Sequence, residues 1–318
     1  MEIAVLVCDG VFDLGLAAVL DVFDTANGLA EELSEAPRWA VTTVGFSPWV
    51  RTSAGHFVDC APVARAESAD LLVVPAVNER RPERVVEFAT GEHSRPARDL
   101  IARTRARRGA IASACAGTFL LAEAGILDHL RATTTWWLAP VFRARYPNIQ
   151  LDQGSMVVQE DAITTAGAAF GHLDMALALV RAGSPAVADL VARYLVVDER
   201  PSQAPYIMPS ALAQNDPTVA AFERWVRDHL AGPISVPDAA RRLGVSERTL
   251  QRSVQRIMGT SPIRFVQDLR IERATHLLRT TDLSLETIAR RVGYEQANTL
   301  RVLLRERTGK TTAALRTV

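Results

Sequence analysis

Lysine is almost missing from this chain of 318 residues: Lys310 stands alone, and arginine supplies nearly all the positive charge. Such a bias reflects a GC-rich coding sequence more than a mechanism. Cysteine is nearly as scarce. Cys8, Cys60 and Cys115 are too few and too widely spaced for a disulfide framework or a metal cluster, which suggests a reducing cytosol. No apolar run is long enough to span a bilayer, and no basic region precedes the first apolar run, Ile3 to Cys8. These absences predict a soluble, cytoplasmic protein with no membrane partner, no metal and no cofactor.

What is present is enough apolar residue, 48%, for about two sizeable cores. The most informative feature is a repeat. Ala240-Arg-Arg-Leu-Gly244-Val reappears as Ala289-Arg-Arg-Val-Gly293-Tyr, and each copy runs into a basic amphipathic segment that ends in glycine, Gly259 or Gly309. A small residue, an apolar residue and a glycine suit a helix that turns sharply into a second helix packed across it. The offset is 49 at the turn glycines and 50 at the closing ones, so one extra residue sits in the second turn or early in its second helix.

Each second helix has leucines on one face and polar or basic side chains on the other. In the first, Ser246 is a candidate N-cap with Thr249 three residues on; Leu250, Val254 and Ile257 face inward, and Arg248, Gln251, Arg252 and Arg256 face outward. In the second, Leu300, Leu303 and Leu304 form the apolar stripe. Gln296, Asn298, Thr299, Arg301 and Arg305 are left as contact candidates. Arginine pairs with guanine edges, and Gln or Asn with adenine edges, in the major groove. The plain alternative for one copy is a solvated helix face; two copies at matched spacing favour double-stranded DNA as partner. Charge agrees: from Asp216 onward 18 Lys+Arg face 11 Asp+Glu, a balance of +7, and the preceding 215 residues carry −7.

Two such units joined by a long helix, about Ile263 to Thr280, resemble the AraC/XylS family of transcription regulators, over about Thr218 to Arg316. The stretch Gly259-Thr-Ser-Pro262-Ile-Arg-Phe265, with Leu269-Arg270 and Ala274, is similar to the family's connection into its linker helix. The resemblance implies base contacts by Arg248, Gln251 and Arg252, and by Gln296, Asn298 and Arg301. The second unit departs from the pattern: Leu300 and Leu304 replace Phe, Thr312 replaces Pro, and Leu315 replaces an aromatic.

Over the first two hundred residues, short apolar runs alternate with helical periodicity, which predicts an open α/β fold with a mainly parallel sheet and a crevice at the strands' carboxyl ends. Strands are predicted at Ile3 to Cys8, Trp39 to Gly45, Leu71 to Pro75, Gly109 to Ala114 and around Met156 to Thr165. Helices are predicted at Leu16 to Asn27, Arg95 to Arg108, Gly117 to Ala124, Leu138 to Tyr146, Ala168 to Arg181 and Pro185 to Leu195. Small residues flank Cys115, with a strand before and a helix after, as at a nucleophile elbow. The helix N-terminus would favour a thiolate or a bound anion there. A buried, inert cysteine fits the spacing equally well.

The run Ser113 to Leu127, then Arg131-Ala-Thr-Thr-Thr135-Trp136, Thr164-Thr-Ala-Gly167 and Asp174, resembles the PfpI-type, class I glutamine-amidotransferase-like domain, in the form fused to AraC-type readers in GlxA-like regulators. The likeness covers about Glu2 to Val197. It implies a flavodoxin-like doubly wound fold with Cys115 at the elbow, and a pocket formed by Cys115, Ala116, Gly117, Asp13, Thr135 and Trp136. Catalysis is not expected: Ala116 and Thr135 stand where relatives have histidine, and Gly15 stands where an acid often is, with Asp13 two residues away. His172 and His129 are the remaining histidines that could approach. The expected organisation is a PfpI-type sensor or dimerisation domain over 1–197, a proline-rich linker or strap over 198–215, and a double helix-turn-helix domain over 216–318. The expected function is sequence-specific transcription regulation with a small-molecule effector and a homodimer formed through the N-terminal domain. A cysteine-dependent hydrolase or amidase and a Cys115 redox sensor are the alternatives.

Overall fold

In a computed structural model of the protein, residues 1–31, 37–198 and 200–316 are described, and the chain divides into two compact units, Met1–Gln203 and Ala204–Val318. The first unit begins with β1 (Glu2–Leu6), α1 (Asp13–Ala30), β2 (Ala40–Gly45), β3 (Trp49–Arg51), β4 (Phe57–Asp59), β5 (Ala61–Pro62) and β6 (Leu71–Val74). It continues with α2 (Pro82–Thr90), α3 (Arg95–Ala106), β7 (Ala110–Ala114), α4 (Thr118–Glu123), β8 (Arg131–Ala132), α5 (Ala139–Arg145) and β9 (Gln150–Leu151). The last elements are β10 (Val157–Glu160), β11 (Ile163–Ala166), α6 (Gly171–Gly183) and α7 (Pro185–Tyr194).

Seven strands form one sheet in the order β10-β11-β7-β6-β1-β2-β5, parallel throughout except for the β10–β11 pair. Its five middle strands, counted along the chain, run second, first, third, fourth, fifth. That is the flavodoxin order, with its switch point between β1 and β6.

Alternate side chains of the central strands feed two cores. Ile3, Val5, Leu71 and Val73 pack under α1, α6 and α7; Ala4, Leu6, Leu72 and Val74 pack under the helices α2 to α5. Strands buried on both faces read as continuous apolar runs, which is why β1 and β6 were legible. The hairpin β3–β4 and the helix α2 were not predicted. Three-residue strands carry too little periodicity, and α2 has only two buried side chains, Val85 and Ala89.

The second unit is all-helical: α8 (Pro209–Ala213), α9 (Pro217–Asp228), α10 (Val236–Arg242), α11 (Glu247–Met258), α12 (Pro262–Thr280), α13 (Leu285–Arg291), α14 (Ala297–Thr308) and α15 (Thr312–Arg316). Side chains of Asp216, Ser235, Ser246, Ser261 and Ser284 accept first-turn amides at five helix starts. α11 and α14 have twelve residues each, so the extra residue of the second repeat lies in its turn. There Gly293 (φ +82) has no room for a side chain, because a Cβ would lie 2.3 Å from the Leu230 carbonyl oxygen. The departures from the family pattern leave the core closed: Leu300, Leu304 and Leu315 are buried with Ile288, Val292 and Leu277.

The proline-rich segment 198–215 is shared between the units. Pro201 O accepts from Met156 N–H and Gln203 N–H donates to Gly154 O in the first unit; α8 packs on α9, α11 and α12 in the second. Glu199, Thr317 and Val318, which fall in the predicted linker and reader, lie outside the described residues.

Candidate ligand elbow and nucleic-acid interface

Cys115 follows β7 with φ +55, a left-handed conformation that costs a non-glycine residue energy and marks a forced turn. Ser113 Oγ donates to Val74 O at 2.8 Å, and a Cβ on Gly117 would lie 2.6 Å from that same oxygen. Strand, serine and glycine thus create the sharp elbow that the spacing suggested. Burial pushes the Cys115 thiol up to about 12, which favours the buried, protonated cysteine that the spacing also allowed. Desolvation by burial is the larger influence, and the Ala116 N–H and the Thr135 hydroxyl act against it.

The other elbow candidates are equally enclosed. Ala116, Gly117, Thr135 and Trp136 are buried, and the Thr135 hydroxyl has no oxygen or nitrogen partner, its influence falling on the Cys115 thiol. Thr134 Oγ1 donates to Cys115 O at 2.7 Å and holds the following loop against the turn. Asp13 was proposed for this pocket, but its carboxylate is bound elsewhere. It accepts from Thr52 Oγ1, Ser53 Oγ and Ala54 N–H and pairs with His56 Nδ1, bonds that hold it far below the usual carboxylate range despite partial desolvation.

Neither histidine is a base for Cys115. His129 is exposed in a turn. His172 is fully buried: its Nε2 accepts from Ala76 N–H at 3.1 Å, so Nδ1 carries the proton and donates to Ala169 O at 2.8 Å. Burial lowers its pKa to about 4. Its ring lies 2.8 Å from where a Gly15 Cβ would be, so an imidazole occupies the space opened by the missing acid.

Gln203 was not nominated from the sequence. Its buried carboxamide accepts from Trp136 N–H at 3.1 Å and donates to Thr134 O at 2.8 Å and to Thr133 Oγ1 and Ser155 O at 3.2 Å. Gly167 makes room for it, since a Cβ there would meet the amide nitrogen at 2.3 Å. A lone glutamine among prolines carries no periodic signal that could have marked it. A groove of about 330 Å³ lies past the ends of β1 and β6, lined by Gly10, Val77, Asn78, Glu79, Phe88 and His93. It lies at the switch point, and Cys115 does not line it.

On the second unit, Arg248, Gln251 and Arg252 are exposed along one face of α11. Ser246 and Thr249 close the helix start: Ser246 Oγ accepts from Thr249 N–H at 3.1 Å and pairs with the Thr249 hydroxyl at 2.8 Å. Arg256, read as part of the outward face, pairs with the buried Asp216 carboxylate at 2.5 Å and so ties α11 to the start of α9. Arg256 remains exposed as its spacing predicted, and Gln255 is exposed beside it. On α14, Asn298, Thr299, Arg301 and Arg305 are exposed, and Arg301 Nη1 donates to Asn298 Oδ1 at 3.4 Å. Gln296 is the N-terminal flanking residue without a capping bond of its own.

Residues 239–317 match the family profile of a helix-turn-helix domain. Over 184 residues the chain is 31% identical to the HTH-type transcriptional regulator CdhR of Pseudomonas aeruginosa, covering 56% of this chain and 54% of CdhR. It is 28% identical over 250 residues to the HTH-type transcriptional regulator GlxA of Rhizobium meliloti, covering 77% and 74%. The chain thus spans about half the length of CdhR and about three quarters of GlxA. A THiJ/PfpI family protein from Pseudomonas syringae superposes with a TM-score of 0.51 at 20% identity, over 63% of this chain and 76% of that one. The first unit therefore has the DJ-1/PfpI fold, and the second carries a helix-turn-helix domain.

Proposed function

We propose that the protein is a sequence-specific, DNA-binding transcription regulator whose DJ-1/PfpI-like unit senses a small molecule and pairs with a second copy in the cytoplasm. The observation that carries this is the doubled reading surface. Two twelve-residue helices each present an exposed polar and basic stripe, Arg248, Gln251 and Arg252 on one and Asn298, Arg301 and Arg305 on the other, on the unit with the basic excess. The regulators named among its relatives support the same reading. Among the described residues, no helix is long and apolar enough to cross a membrane.

The enzyme alternative lacks a base: Ala116 and Thr135 cannot accept a proton at neutral pH, and both nitrogens of His172 are committed. A redox role fares no better with a thiol held protonated and buried. Sensing is supported by the Gln203 clamp, because a ligand entering beside the elbow must contend with a carboxamide that anchors the connecting segment. Pairing is supported by the β3–β4 hairpin. Its outer face exposes Trp49 and Phe57 in edge-to-face contact, with Arg51 and Asp59 on the other diagonal and, among the described residues, without ion-pair partners. A two-fold axis along the aromatic diagonal sets each Arg51 against Asp59 of the second copy.

The test is binding of the full chain to duplexes selected from a random pool, with Arg252→Ala alongside and salt varied. Arg252→Ala is expected to cost about 1 to 3 kcal/mol on selected sites and to relax preference at one position, while affinity falls steeply with salt. An equal loss on random duplex would restrict Arg252 to phosphate contact. No binding by the full chain to any selected duplex would overturn the function.

A further inference from the structure

The two reading helices differ in chemistry at the centre of their outer stripes. Both are twelve residues long and close on left-handed glycines, Gly259 (φ +67) and Gly309 (φ +68), so residues 50 apart hold equivalent places. With about 100° per residue, Arg252 and Val302 each point roughly 200° away from the buried Leu250 and Leu300, straight out from the core. Arg252 places a long cation there. Val302 places a branched hydrocarbon, 48% exposed, between Asn298, Arg301 and Arg305.

A single exposed valine on a protein surface is ordinary. This one is distinguished by its place. Among the described residues of α11 and α14, it is the one large apolar side chain left exposed, and it stands where the first unit has a base-reading arginine. Valine neither donates nor accepts a hydrogen bond, so it cannot read an edge by pairing. In the major groove, the apolar feature on the base edges is the C5 methyl of thymine.

We propose that Val302 reads a thymine methyl in the second half-site, at the place that corresponds to the base read by Arg252 in the first. The DNA site is then built of two unlike halves, guanine answering Arg252 and thymine answering Val302. This rests on the DNA-reading function proposed above, and it explains how a repeated motif specifies direction along a duplex: exchanging the halves mismatches both residues.

The experiment uses the full chain and its best selected duplex, with each thymine replaced singly by uracil, which removes only the methyl. One replacement in the second half-site is expected to weaken binding about fourfold, the value of one buried methyl group. Val302→Ala should abolish that penalty and keep the guanine preference, and Val302→Arg should shift the preferred base from thymine towards guanine. The proposal is overturned if no uracil replacement carries a penalty, if Val302→Ala retains it, or if Val302→Ala weakens random duplex equally. Arg252→Ala, measured in parallel, separates the two failures. Relaxed specificity in Arg252→Ala without any effect of Val302→Ala sinks this inference alone; no binding by the full chain to any selected duplex sinks the DNA-reading function with it.

Discussion

Acidification should destabilise the first unit through one side chain, His172. The folded unit keeps the ring neutral, with a pKa lowered from 6.5 to about 4 by burial, whereas the unfolded chain takes up a proton near 6.5. Below that value the unfolded state binds more protons, so stability present at neutral pH is lost as pH falls from about 6.5 towards about 4. With those two values the loss is about 2 kcal/mol at pH 5 and about 3 kcal/mol at pH 4. His172→Gln is the comparison, since a carboxamide can accept from Ala76 N–H and donate to Ala169 O without titrating in this range. Urea unfolding followed by tryptophan fluorescence reports mainly on this unit, which holds four of the five tryptophans. The difference between the two proteins isolates His172 from Asp13, whose lowered carboxyl also loses stability in acid. Parallel stability curves from pH 7 to pH 4 would refute the reasoning, because a ring that titrates normally in the folded unit contributes no such slope.

Two further outcomes follow from the same unit. Cys115 should remain unmodified by iodoacetamide at pH 8 in the native chain and react once unfolded, as read by mass spectrometry, because its thiol is buried and raised to about 12; rapid native modification would restore a reactive elbow. Trp49→Glu should convert a dimer to monomers in sedimentation velocity by placing a charge in the exposed aromatic pair of the hairpin, and an unchanged dimer would move the interface elsewhere.

The sequence by itself determined the repeat, the closing glycines, the strand runs that become β1, β6 and β7, and the position of the elbow. Each of these rests on local rules. A helix has a period and needs a cap, a strand buried on both faces reads as a continuous apolar run, and a left-handed turn needs glycine. Leu250, Val254 and Ile257 are buried as their spacing predicted. The elbow's shape was equally legible, from small residues on either side of Cys115.

Only the tertiary structure decided what the elbow can do. Thiol acidity depends on solvent exclusion by elements distant in sequence, and burial raises the Cys115 thiol. The partners of Asp13, His172 and Gln203 lie between 39 and 96 residues away, apart from short local bonds, so no spacing rule could assign them. Arg256 shows the same on the reader: it is exposed as helical period predicts, and its pairing with the Asp216 carboxylate from the start of another helix is what no period could give. Periodicity determines which way a side chain points, and the rest of the chain determines what it meets there.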